Sequence, residues 1–198
     1  MLPEFSLRFH PVLLNPEPYE VLDFTGPKSP DDPSLFMKSL FTIGRYNEKR
    51  PGMYTQALFQ GSRDNHIGID LGAPAGTPVH AFFEGEIFLF ADNQAAGDYG
   101  PTLITRHLLH GVEIYALHGH LSRRSLEGKK IGQLIQYGEV IGWLGEENEN
   151  GGWAPHVHFQ LSLIAPETAD MPGTVSDEDL EAALKIYPDP RVILGPIY

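Results

Sequence analysis

The chain of 198 residues contains no cysteine, which removes disulfide cross-links, thiolate metal sites and a cysteine nucleophile together. Any bound metal must therefore be held by His, Asp or Glu. Positive charge is also scarce: 14 Lys and Arg face 26 Asp and Glu, a formal net charge of -12. Nucleic acids and anionic membrane surfaces both need a basic field, so neither is an expected partner. No stretch approaches the ~20 apolar residues of a spanning helix, and membrane insertion is not expected. The start Met1-Leu2-Pro3-Glu4-Phe5-Ser6 lacks a basic segment followed by an unbroken apolar run. That absence points to the cytoplasm, with export by another route left open. Three enzyme signals are missing as well: His-Glu-x-x-His, Gly-x-Ser-x-Gly and Gly-x-x-x-x-Gly-Lys, which carry helix-borne zinc, serine nucleophiles and phosphate loops.

What is present suits one enzyme-sized domain with extensions, at 41% hydrophobic and 20% charged residues. Residues 1–50 are punctuated by Pro3, Pro11, Pro16, Pro18, Pro27, Pro30 and Pro33, with Pro51 just beyond, which excludes long helices. This Pro-rich extension should pack on the core, with Val12, Leu13, Leu14, Val21, Leu22 and Phe24 adding short strands or apolar contacts. Residues 51–165 carry short alternating runs, Val79 to Phe90, Thr102 to Arg106, Val112 to His120 and Val140 to Leu144, separated by glycine-rich turns. That cadence predicts an all-β domain. Residues 166–198 form a tail in which Ser176, followed by Asp177, Glu178 and Asp179, is expected to cap a short helix ending near Ile186, before Pro188. A biotinyl or lipoyl carrier hairpin fits the glycine pattern less well, because Lys129 and Lys130 precede the Gly132 to Gly145 strands.

Histidine supplies the chemistry. In Pro155-His156-Val157-His158-Phe159-Gln160, polar and apolar residues alternate as on a half-buried strand, so both imidazoles leave one face. At ~3.3 Å of rise per residue their backbones stand about 6.6 Å apart, close enough for one ring to bind a metal while the other faces its water. His66 and Asp70 are four residues apart, roughly 13 Å on a straight strand, so meeting one ion requires a bend, expected at Gly68. Imidazoles and a carboxylate with one open position form the pattern of catalytic zinc. His118 and His120 make a second i, i+2 pair, and spacing alone does not say which of these four histidines bind metal. Gln160 shares the strand face of His156 and His158, and reads as a solvent-facing or cleft-lining polar residue. Trp143 and Trp153 are candidate groove walls or buried aromatics. His107 reads as structural, and His10, His80 and His110 as surface or packing residues.

The run His66-Ile-Gly-Ile-Asp70-Leu-Gly-Ala-Pro74-Ala-Gly76-Thr77-Pro78-Val79 resembles the first signature of the M23 (LytM/lysostaphin-like) zinc metallopeptidases. Tyr115-Ala-Leu-His118-Gly-His120-Leu121-Ser122 is similar to that family's central strand, and Ile131 to Gly145 followed by His156-Val-His158 to its last elements. The similarity spans residues 61 to 163. It implies an antiparallel β-sheet core of the LytM/lysostaphin type with short peripheral helices. It also implies one zinc ion held by His66, Asp70 and His158, with His120 and His156 as the catalytic histidines and His118 as a neighbour. The activity implied is hydrolysis of peptide bonds in peptidoglycan-type peptides by a zinc-activated water, whose pKa falls toward ~7 on the metal. Competing expectations are a non-catalytic M23-like binding domain and a zinc amidohydrolase acting on cytoplasmic peptides. The net negative charge gives no help toward anionic wall polymers, and the sequence is silent on oligomeric state.

Overall fold

The computed structural model describes residues 7–14, 18–26, 40–59 and 63–198. Of the residues named so far, Met1 to Ser6, Pro16, Pro27, Pro30, Pro33 and Gly61 lie outside these. The alternating runs form a long meander: β7 (Gly85–Asn93), β8 (Gly100–Leu109) and β9 (Val112–Gly119) pair antiparallel in succession. Leu109 opposes Val112, so β8 and β9 are joined by a two-residue turn. Its residues, His110 and Gly111, take φ of 50° and 83°, the left-handed pair that a tight hairpin requires.

Eight strands make the main sheet, in the order β1 (Glu20–Val21), β2 (Thr42–Gly44), β5 (Ile69–Gly72), β12 (His156–Ser162), β9, β8, β7 and β10 (Leu134–Ile135). Every neighbouring pair is antiparallel except β1 and β2, which run parallel at the edge built by the N-terminal segment. A two-stranded sheet joins β6 (Pro78–His80) to β11 (Val140–Trp143), and a three-stranded sheet joins β3 (Glu48–Lys49), β4 (Asn65–His66) and β13 (Thr174–Val175).

Alternation sorts the main sheet into two faces. Val157, Phe159 and Leu161 of β12, Ile69 and Leu71 of β5, and Ile114 and Ala116 of β9 all enter one core with Val79, Phe82 and Ile141. Each of the Val, Leu, Ile and Phe side chains contributes about 1.5–3 kcal/mol on burial. Val12 and Leu13 of the N-terminal segment close this core, and Leu13 forms a bridge to Val79, while Leu14 stays exposed. The opposite face presents Asp70, His156, His158 and Gln160.

Two details differ from the sequence expectation. The run from Val79 to Phe90 is two strands, because the chain turns between His80 and Gly85 to plunge Phe82 into the core. The tail helix, α1 (Leu180–Ile186), starts later than the residue after Ser176. Ser176 Oγ donates to Asp179 Oδ2 at 2.7 Å and accepts from Asp179 N at 3.2 Å, so it stabilises a turn that precedes the helix. Ala183 of α1 packs with Ile67 and Val175, and a final turn, α2 (Arg191–Leu194), buries Ile193. Among the described residues, no helix is long and apolar enough to cross a membrane.

Candidate metal centre

Strand register brings the first two groups together: Asp70 on β5 lies directly opposite His158 on β12, and directly paired residues project to the same face. His66 ends β4, and the chain changes sheets over the two residues that separate it from β5, Ile67 and Gly68. Gly68 is required by proximity, since a Cβ there would lie 2.5 Å from the His158 ring. The break in direction thus falls where the 13 Å problem demanded it. His66 Nε2 stands 3.2 Å from Asp70 Oδ1, His158 Nδ1 3.0 Å from Asp70 Oδ1, and the two ring nitrogens 3.0 Å from each other. Donors 2.0–2.1 Å from a tetrahedral zinc would stand about 3.3 Å apart, so this triangle has the size of one face of such a site.

The tautomers fit a cation as well. His66 Nδ1 is 2.8 Å from the Arg45 carbonyl, to which it must donate, leaving Nε2 as a bare lone pair. His158 Nε2 is 3.0 Å from Gln160 Oε1, and the Gln160 amide is oriented by its Nε2 donating to the Pro172 carbonyl at 3.4 Å. His158 therefore donates from Nε2 and presents Nδ1 bare. With Asp70 Oδ1, three acceptors converge with no proton among them, an arrangement that repels itself until a cation enters. His66, Asp70 and His158 are the group among the described residues able to hold one metal ion with three ligands.

Electrostatics favour the ligand forms. Burial, reinforced by the Arg50 guanidinium, lowers the His66 pKa to about 4, so its ring is neutral at pH 7. Burial alone would raise the Asp70 pKa, but positive charge beside it, on His66 when that ring is protonated and on Arg50 throughout, holds the carboxyl well below its ordinary value. Its second oxygen, Oδ2, accepts from Arg50 Nη1 at 2.8 Å.

His156 and His120 flank the triangle. His156 donates Nδ1–H to the Ala154 carbonyl at 2.7 Å and turns Nε2 to 3.7 Å from Asp70 Oδ1. His120 donates Nδ1–H to the Asn150 carbonyl at 2.8 Å, and its ring centroid lies 4.3 Å from that of His156. Burial lowers both pKa values, with His156 adding to the effect on His120. The sequence placed His118 and His120 on one strand face, and the structure separates them. Strand β9 ends at Gly119, and His120 takes φ of 61°, which swings its ring into the cleft while His118 stays on the core face. Hydrogen bonds from His120 N to Tyr99 O at 2.7 Å and from Gly145 N to His120 O at 3.0 Å hold that left-handed turn.

Several supporting residues carried no clear sequence signal. Gln160, a candidate solvent-facing residue, is buried and fixes His158. Asn150 is fully buried and ties its loop through bonds to Gly145 and Trp153. The Tyr99 ring sits 5.4 Å from His120 and 5.2 Å from His158, its hydroxyl bound to the Met171 carbonyl at 3.0 Å. Phe24, Met53, Tyr54, Phe59 and Trp153 line the cleft, with Tyr54 edge-on to Trp153 at 6.0 Å. Trp143 lies elsewhere, under the Arg124 guanidinium at 4.0 Å. His107 is buried and bonded to the Glu84 carbonyl and Thr105, and His10 and His80 pack against each other at 5.0 Å, away from the triangle.

The model of Peptidase family M23 matches residues 64–169. The chain is 41% identical over 99 residues to the DD-carboxypeptidase/endopeptidase Mpg of Neisseria meningitidis, covering 50% of this chain and 20% of that protein. It is 31% identical over 120 residues to the peptidoglycan DD-endopeptidase ShyC of Vibrio cholerae, covering 56% of this chain and 24% of that one. The chain thus spans about a fifth to a quarter of the length of these relatives. Among solved structures, the catalytic domain of the prophage-encoded M23 protein EnpA from Enterococcus faecalis is similar at 25% identity and a TM-score of 0.48, over 72% of this chain and 92% of that one. With more than half of its sequence matched by the family model, the chain belongs to Peptidase family M23.

Proposed function

We propose that this protein is a zinc-dependent endopeptidase that hydrolyses peptide bonds in peptidoglycan-type peptides. In this reading His66, Asp70 and His158 hold one zinc ion, and His120 and His156 are the catalytic histidines. The observation that carries it is the set of three bare acceptor atoms 3.0–3.2 Å apart with two further neutral imidazoles on one side. The names of the Neisseria and Vibrio relatives, both endopeptidases, supply the substrate class.

When bound, zinc supplies Lewis-acid activation of a water molecule and of the scissile carbonyl. The chain supplies the rest. His120 and His156 each commit Nδ1–H to a backbone carbonyl, so each presents Nε2 as a proton acceptor. One proton leaves the attacking water for such a nitrogen, the water oxygen bonds to the carbonyl carbon, and the proton passes to the departing amine as the C–N bond breaks. Tyr54 adds a donor: its hydroxyl accepts from Arg50 Nη1 at 3.0 Å, and burial raises its pKa to about 12, so its own O–H is retained for a developing oxyanion.

Metal quantification combined with digestion of peptidoglycan stem peptides tests this reading. We expect one zinc per chain, cleavage abolished by a chelator, and recovery on adding zinc. Peptide binding without cleavage by the zinc-loaded protein would make it a binding domain, and cleavage indifferent to chelation would remove the metal from the chemistry.

A further inference from the structure

Arg50 is 3% exposed, comes from outside the family-matched segment, and lies in the wall of the cleft behind Asp70, bonded to the carboxylate oxygen that faces away from His66 and His158. Four of its five N–H donors are committed, and they anchor it on every side. Nη1 reaches Asp70 Oδ2 at 2.8 Å and the Tyr54 hydroxyl at 3.0 Å, Nε reaches Glu48 Oε2 at 2.9 Å, and Nη2 reaches the Arg45 carbonyl at 3.3 Å. Phe24 stacks against the guanidinium at 4.8 Å. That Arg45 carbonyl is the same one that fixes the tautomer of His66. Gly44 completes the arrangement, because a Cβ there would lie 2.7 Å from Arg50 Nη2 and 2.8 Å from Asp70 Oδ2.

We propose that Arg50 is a positioning residue that restricts Asp70 to one metal-binding oxygen, so that the segment Gly44 to Tyr54 sets the coordination number of the centre. This rests on the zinc reading above. A carboxylate free to rotate can bind an ion through both oxygens and fill the position a water needs. Here Oδ2 is held by a planar, buried, permanently charged donor that is itself anchored by Glu48 and by the backbone, and only Oδ1 faces His66 and His158. Phe24, Gly44, Arg45, Glu48, Arg50 and Tyr54 all precede residue 64, so the family-matched segment does not by itself hold its aspartate in this pose.

Cobalt substitution reads the effect directly, because four-coordinate cobalt absorbs visible light more strongly than five-coordinate cobalt. Removing Arg50 alone would leave Glu48 Oε2 without its donor, Oε1 keeping Arg45 and Phe24 N, so the variant is the pair Arg50→Met with Glu48→Gln. Gly44→Ala displaces the same contact with every charge retained. In both variants of the full chain we expect cobalt to remain bound, its visible absorption to fall, and kcat on a stem peptide to drop by about 10- to 100-fold with KM unchanged. An unchanged spectrum in both variants overturns the proposal, whatever the turnover. Complete loss of cobalt from both also overturns it, since the arginine would then be needed for binding and not for denticity. Cobalt bound by the unsubstituted protein with no cleavage of any peptide would sink the peptidase reading while leaving this inference standing.

Discussion

His158 on β12 and His118 on the neighbouring β9 sit one register step apart in the same sheet, His158 opposite Gly119 and His118 opposite Phe159. Both are buried, yet they face opposite sides. On the cleft side both ring nitrogens of His158 are engaged, Nε2 donating to Gln160 while Nδ1 faces Asp70 and His66. On the core side neither nitrogen of His118 meets a polar side chain; the Leu103 and Ala116 backbone are its polar neighbours, and its ring lies 5.3 Å from that of Phe159. Burial, with His107 nearby, lowers the His118 pKa to about 3. Burial therefore does not separate a proposed ligand from a packing residue. The identity of the atoms opposite each nitrogen does, and a one-residue step along a strand is enough to exchange them.

Replacing residues on either side should break this symmetry most visibly. His158→Ala should lose zinc and, with it, more activity than the about 100-fold that a supporting residue commands. His156→Ala, which removes a ring that faces the triangle from its edge, should keep zinc and lower kcat by about 10²- to 10⁴-fold. His118→Ala should change neither zinc content nor KM. Metal analysis and steady-state kinetics on the three proteins decide the matter, and equal zinc loss from His156→Ala would make that histidine a ligand.

The contrast between the two faces also shows what a sequence can carry. His66, Asp70, His156 and His158 lie in two short runs, where a period of two and a glycine between the first pair already restrict the geometry. The β class was legible for the same local reason, from alternation and turn glycines. Arg50 was not legible, because its meaning arises only when β2 pairs with β5 and brings Gly44 against Asp70. The parallel edge was equally hidden, since β1 and β2 are two- and three-residue strands too short to show a period. His118 and His120 were assigned one face because nothing local announces a positive φ at a histidine. The turn is imposed by bonds to Tyr99 and Gly145, which are distant in sequence.

Gln160 sharpens the contrast, since it is the group that His118 lacks. Gln160→Leu removes the acceptor that fixes the tautomer of His158 and should weaken zinc affinity by about 10- to 100-fold. Gln160→Glu retains an acceptor at the same place and should lose less. Competition with a chromogenic chelator measures both, and equal affinity across the three proteins would leave Gln160 as mere filling.

The smallest effect is expected from His118→Leu, an apolar exchange of similar size in the core. At pH 7 it should stabilise the fold by about 1 kcal/mol, because a buried imidazole whose nitrogens are poorly satisfied is removed. Below neutrality the difference grows. Between about 6.5 in the unfolded chain and about 3 in the folded one, the unfolded state binds a proton that folded His118 refuses. Stability is therefore present above pH 6.5 and lost as pH falls, by about 1.4 kcal/mol per unit for this one group inside that window. His107, lowered to about 4 by burial, contributes in the same direction over a narrower range and remains in the variant. Urea unfolding at pH 7 and at pH 5 should thus show a flatter pH dependence in His118→Leu than in the unsubstituted protein. Parallel curves would mean that His118 is protonated on the core side as easily as in water, and the distinction between the two faces would then rest on packing alone.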